Sequence, residues 1–199
     1  MRTIASAVLV AALVVALPGA AKSEGAREVV ESTVAQVLEI LRIPELTLDQ
    51  RRARIEEVVY VRFDFETMSR LVLARNWRRF DPAQRKEFIR EFKRHLSRSY
   101  GTRLARYEQE NVDVTGERKE TRGDVTVLTV IHGGQFDGAA IDYRMRDRED
   151  VWRVIDVIIE GISLVSNFRS QFKDVVSRDG PSGLIEQLAS RNDEAAAGE

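Results

Sequence analysis

The sequence predicts an α+β domain: helices, then four consecutive antiparallel strands, then helices, with the helices covering one face of a curled sheet. Three observations carry this. Residues 26–107 are dominated by apolar positions three and four apart. Residues 111–159 switch to short alternating or β-branched runs separated by Gly/Asp turns. From Ser163 the helical period returns, in Leu164, Val165, Phe168 and Phe172.

The elements follow in order. Residues 26–41 place Val30, Val34, Val37, Leu38 and Leu41 on one helical face, and Pro44 ends the run. Thr47-Leu48-Asp49-Gln50 has the form of a capping box, opening a helix that buries Ile55, Val58 and Val59. Asp64 is placed to cap a short helix running through Leu71 and Val72. Asp81-Pro82-Ala83-Gln84 combines a cap, a first-turn proline and a glutamine at the third position. The stripe Phe88, Phe92, Leu96, Tyr100 and Leu104 predicts that this helix runs to about Tyr107, roughly 35–40 Å at ~1.5 Å per residue.

The strands are predicted at residues 111–116, 125–131, 139–145 and 152–159, with residues 133–138 as a hairpin connection. Glu160-Gly161 then lets the chain turn sharply from the fourth strand into a helix from Ser163 to about Ser177. Gly180-Pro181 marks a break before a last short helix holding Leu184, Ile185 and Leu188. Residues 191–199 carry no apolar period and are expected to form a disordered tail.

With 199 residues the chain fits one well-buried domain. A net charge of −1 gives no overall bias toward nucleic acid or anionic lipid. Its 26 arginines and five lysines alternate with acids, the pattern of solvated helix faces. No cysteine is present, which excludes disulfides, thiolate nucleophiles and Cys-based metal sites. Arg2, the uncharged residues 4–17 and the small residues around Ala21 predict a cleavable export signal over residues 1–21. Fourteen uncharged residues are few for a membrane span, so an uncleaved anchor is the secondary reading. The mature domain is then 22–190, soluble and exported.

Chemistry is sparse. His95 and His132 are the only histidines, and neither has a second one at metal-ligand spacing. No Gly-x-Ser-x-Gly elbow accompanies them. The glycine-rich residues 133–138 do not precede a helix, which removes a phosphate-cradle reading. Asp156 and Glu160 stand out because they lie in an apolar strand. They are expected to face an arginine or cap a backbone; the alternative is a polar contact at a cavity mouth. Inward-facing aromatics and aliphatics are what the chain has in excess, and these form a core, or the walls of a ligand cavity.

Several motifs together resemble a known family. They are Phe63-Asp64-Phe65 with Met68, Trp77-Arg78, Pro82-Ala83-Gln84-Arg85 with Phe88 and Phe92, and Tyr100-Gly101. Tyr143-Arg144-Met145, Trp152, residues 156–163, Asn167 with Phe172, and Gly183-Leu184-Ile185 with Leu188 follow in order. In these the chain resembles the MlaC family, also called toluene-tolerance proteins, from about Val29 to Ser190. Two pieces depart from it: the 133–138 hairpin, and Ala74-Arg75, where the resemblance leads one to expect a glycine-containing turn.

The resemblance implies an NTF2/cystatin-like curled sheet of four strands, wrapped by N- and C-terminal helices around an apolar cavity. It implies a monomeric periplasmic carrier, with no catalysis and no cofactor, whose cargo is phospholipid. Its partners would be an inner-membrane ABC transporter with its substrate-binding subunit, and an outer-membrane lipoprotein–porin complex. A carrier of another lipid, such as a hopanoid, and a pocket-bearing enzyme using Asp156 are the alternatives. Acyl chains would lie between Phe65, Val72, Phe88, Phe92, Leu96, Tyr100, Leu164 and Phe168 on the helices and Val127, Tyr143, Trp152, Val157 and Ile159 on the sheet.

Overall fold

The protein is described by a computed structural model covering residues 24–101, 104 and 110–197. The export signal expected at residues 1–21 lies outside the described residues.

The helix starts follow their caps. Helix α1 spans Ala26–Leu41. Helix α2, Leu48–Arg62, opens on the predicted box: Thr47 Oγ1 accepts the Gln50 amide at 3.2 Å, and Gln50 Oε1 accepts the Thr47 amide at 3.0 Å. Helix α3, Phe65–Leu73, is capped by Asp64, whose Oδ1 accepts the Thr67 amide at 2.8 Å. Helix α4, Pro82–Leu96, starts with Asp81 and Gln84 bonded reciprocally at 2.9 and 3.1 Å and with the proline in its first turn. Between α3 and α4 the chain turns at Ala74, which has φ 48° and ψ −120°. A side chain rarely adopts that conformation, and it is where a glycine was expected.

The long helix expected to reach Tyr107 ends its regular α form at Leu96 and continues as a π turn over Ser97–Gly101. Residues 105–109 lie outside the described ones. The turn answers a geometric problem. Positions four apart rotate about 40° per step around an α-helix of 3.6 residues per turn. A stripe at constant spacing of four therefore drifts off the core, and one wider turn resets it. Tyr100 accordingly still packs on the main core, whereas Leu104 joins a separate small cluster with Val37, Leu41 and Ile55.

The sheet has five strands rather than four, in the order β1-β2-β3-β4-β5, each antiparallel to the next. They are β1 (Asn111–Lys119), β2 (Val125–His132), β3 (Ile141–Arg148), β4 (Val151–Ile159) and β5 (Ile162–Ser163). The extra strand arises at Glu160-Gly161, with φ 49° and 77°. A two-residue turn with both φ positive reverses the chain into a hairpin, so Ile162 pairs with Ile159 before the next helix begins. Glu149-Asp150, with φ 55° and 62°, joins β3 to β4 in the same way. Bulges at Val114/Gly116 and Arg144/Met145 bend the sheet. At the first, Arg27 of α1 donates to the Val114 carbonyl at 3.1 Å.

The register assigns the two faces. Val127 lies opposite Tyr143, Tyr143 opposite Val157, and Ile141 opposite Ile159. All of these belong to the core shared with α1, α3, α4 and the last helix. The other face carries a polar row across four strands: Arg118 opposite Thr126, Thr126 opposite Arg144, Arg144 opposite Asp156.

The last helix, α5, spans Leu164–Ala197 and is broken into two arms at Gly180, φ 72° and ψ −174°, followed by Pro181. The predicted break is thus a kink. The segment from Arg191, read from sequence as a disordered tail, is helical to Ala197. Its anchors are polar: Asn192, 1% exposed, donates to the Glu91 carbonyl and to Glu91 Oε2, both at 3.0 Å, and Arg94 holds Asp193 at 2.8 Å.

Candidate functional site

All thirteen residues expected around an apolar ligand fall in one contiguous core between the sheet and the helices. Phe88, Phe92 and Leu96 come from α4, Tyr100 from the π turn, Phe65 and Val72 from α3, and Leu164 and Phe168 from α5. Val127, Tyr143, Trp152, Val157 and Ile159 face them from β2, β3 and β4. The face of β4 that sequence left open is therefore the one bearing Trp152, Val154, Val157 and Ile159.

In this state the core is closed ring on ring. Phe88 stacks on Phe92 with centroids 5.6 Å apart and planes 10° from parallel. Phe168 meets Phe92 edge-on at 5.4 Å, and Phe172 meets Phe88 and Phe92 edge-on at 5.9 Å. Phe80, Met68, Met145 and Phe172 belong to the same core and were not singled out as ligand contacts. For Phe172 the signal was present, four residues beyond Phe168 on one helical face. A cavity of about 270 Å³ lies at the border of this core, between the two arms of α5.

The motif residues have structural partners. Phe63 stacks on Phe65 at 5.7 Å, and the Asp64 amide donates to the Val154 carbonyl at 2.9 Å, so α3 is pinned to β4. The guanidinium groups of Arg70 and Arg85 both lie over the Trp77 ring, 5.8 and 5.1 Å from its centre. In Tyr143-Arg144-Met145 the outer two residues enter the core, while Arg144 points to the polar face beside Asp156.

Asp156 is 1% exposed, and both its oxygens are engaged. Oδ1 accepts the Val165 amide at 3.0 Å, Oδ2 accepts the Ser163 hydroxyl at 2.6 Å, and Arg144 Nη1 lies 3.6 Å from Oδ2. It therefore anchors the N-terminus of α5, where a carboxylate also suits the helix dipole. Glu160 accepts the Ala140 amide across the sheet. Both carboxylates thus make the backbone and arginine contacts expected of them, and neither faces the apolar core.

Other titratable groups are similarly tied. Burial raises the Glu91 carboxyl, but hydrogen bonds from Asn192 and Arg90 and the charge of Arg94 outweigh it and hold the group below its ordinary value. Burial lowers His95, the Asn192 hydrogen bond opposes this, and Arg191 adds to the lowering. His95 packs edge-on against Phe168 at 5.5 Å. Tyr60 is pushed up to about 12, first by burial and then by Glu56, while Lys93 Nζ sits 3.4 Å from its ring centre. His132 pairs with Asp113 at 3.3 Å on the exposed end of the sheet. Among the described residues no group of His, Cys, Asp or Glu is arranged to hold a metal ion, and no helix is long and apolar enough to cross a membrane.

A helix-covered antiparallel meander with an aromatic interior, in which buried Glu91, Asp124 and Asp156 are bonded to arginines or a backbone amide, has the make-up of a binding fold. Residues 31–190 match the MlaC protein family, and the chain belongs to that family. It is 28% identical over 103 residues to the toluene tolerance protein ttg2D of Pseudomonas putida, a stretch covering 52% of this chain and 48% of that relative. The chain thus spans about half the length of that curated relative. The fold is similar to that of the phospholipid-binding protein from Ralstonia solanacearum, solved in complex with a phospholipid. That similarity has a TM-score of 0.79 and 28% identity, and covers 87% of this chain and 99% of the other.

Proposed function

We propose that this protein is a periplasmic phospholipid carrier, exported by a cleaved signal at residues 1–21. Acyl chains lie between α3, α4 and α5 on one side and β2, β3 and β4 on the other. The observation that carries the reading is the likeness, over almost the whole length of the Ralstonia protein, to a fold that holds phospholipid. The continuous apolar core between sheet and helices supports it.

A diacyl lipid carries about 30 methylenes, and at ~0.8 kcal/mol each their exposure to water is prohibitive without an apolar sleeve. Ring contacts among Phe88, Phe92, Phe168 and Phe172 close the interior between sheet and helices. Loading therefore requires the ring contacts among Phe88, Phe92 and Phe168 to part and the helix layer to lift from the sheet. Headgroup contacts are made by arginine to phosphate and discriminate weakly among headgroups.

Cargo would pass between an outer-membrane lipoprotein–porin complex and an inner-membrane ABC transporter with its substrate-binding subunit. The carrier works as a monomer, without cofactor or nucleic acid. Native mass spectrometry and lipid extraction of the purified protein test this. Stoichiometric phospholipid is expected; consistent absence of bound lipid would overturn it, and recovery of a hopanoid instead would reassign the cargo.

A further inference from the structure

The kink at Gly180 folds the two arms of α5 toward each other, and the cavity of about 270 Å³ lies between them. Its floor is apolar: Phe172, Leu184 and Leu188 are all buried members of the main core. Its rim is polar, made by Gln171, Gln187 and Arg191. Arg191 is exposed and has no ion pair among the described residues. One hydrophobic floor with one cation and two carboxamides at the mouth matches an amphiphile with a single chain and a single anionic head. The volume is far too small for two acyl chains, yet comparable to about nine water volumes at ~30 Å³ each, which suits part of one chain.

We propose that this cleft is a second lipid site, taking a monoacyl anionic amphiphile with its head at Arg191 and the two glutamines. The Phe172 ring forms the wall between the cleft and the interior assigned to diacyl lipid, because its other contacts are Phe88, Phe92 and Phe168. The site thus lets the carrier accept a single-chain lipid, a fatty-acid carboxylate or a lysophospholipid phosphate, without emptying the main chamber. This inference rests on the carrier reading above.

The test titrates oleate and oleoyl-lysophosphatidylglycerol separately into the purified protein and into Arg191→Gln and Val175→Trp variants. Native mass spectrometry reads both added and co-purified lipid, and circular dichroism checks the fold. One equivalent of added lipid is expected on the unaltered protein. Loss of the charged contact should weaken it roughly tenfold or more, and the tryptophan, which fills the cleft beside Phe172, should abolish it. Co-purified diacyl lipid should stay at its original level in both. If Val175→Trp unfolds the arm, Gln187→Trp narrows the mouth from the rim instead.

Binding of oleate alone assigns the site to carboxylates, and of the lysolipid alone to phosphates. Unchanged binding in both variants would overturn the proposal, as would a folded tryptophan variant that loses its diacyl lipid, since the cleft would then be part of the main chamber. Monoacyl binding at the cleft without any recovered phospholipid would instead sink the carrier reading and leave the cleft standing.

Discussion

Replacing Ala74 by glycine should stabilise the protein, against the usual direction of such a change. Ala74 ends α3 at φ 48° and ψ −120°, a region where a Cβ is strained by about 1–3 kcal/mol. Glycine removes that strain but loses about 0.5–1 kcal/mol through the extra freedom of the unfolded chain. Ala74 is exposed, so its methyl gives up almost no burial. The balance is a gain of about 1 kcal/mol, or a midpoint roughly 2–4 °C higher for a domain of this size. Thermal unfolding followed by circular dichroism, with urea titration alongside, measures it. Ala35→Gly serves as the control, because Ala35 is exposed in the middle of α1 and should lose about 0.5–1 kcal/mol. If both variants lose stability by similar amounts, Ala74 is unstrained and the reasoning fails.

Other expectations follow from the same contacts. Asp156→Ala removes the acceptor for the Val165 amide and leaves Arg144 beside an empty position, and should destabilise by about 2–4 kcal/mol in urea unfolding. Asp156→Asn retains an acceptor oxygen and should keep full lipid binding; selective loss of a turnover activity in that variant would instead favour an enzyme. Glu91 has its carboxyl held below the ordinary 4.5, so its stabilisation is complete above that value and disappears as pH falls through the lower folded value. Glu91→Gln should therefore show a shallower loss of melting temperature than the unaltered protein as the pH falls below 4.5, and parallel curves would contradict the assignment. Phe92→Ala opens a hole among Phe88, Phe168 and Phe172 and should cost about 3–5 kcal/mol by denaturant titration.

Much of this architecture is written locally. Thr47, Asp64 and Asp81 each announced a helix start, because a cap needs only a side chain and an amide three residues away. The inward faces of β2, β3 and β4 were legible from alternation, and the polar role of Asp156 from its place in an apolar strand. What escaped was tertiary or too short to leave a pattern. Two residues cannot display a strand period, so β5 was absorbed into a strand-to-helix corner. The helical residues 191–197 carry no apolar stripe because Asn192 and Asp193 hold them to Glu91 and Arg94, about a hundred positions away in the chain. Periodicity names the residues that point inward, but whether Phe88, Phe92 and Phe168 touch one another or a ligand depends on how far apart their helices stand. Sequence spacing does not contain that distance.

One consequence concerns the free border of the sheet. Nine residues of β1 form the outermost strand, the kind of edge on which a stray chain can add itself and begin aggregation. Here the border is a poor template. The Val114/Gly116 bulge breaks its regular spacing, Arg27 already occupies the Val114 carbonyl, and Arg42 holds Asn111 at its start. Glu117, Arg118 and Lys119 place three successive charges where an invading strand would have to lie flat. On the loading proposed above, in which the layers part and apolar surface is uncovered, this edge offers other chains a poor template.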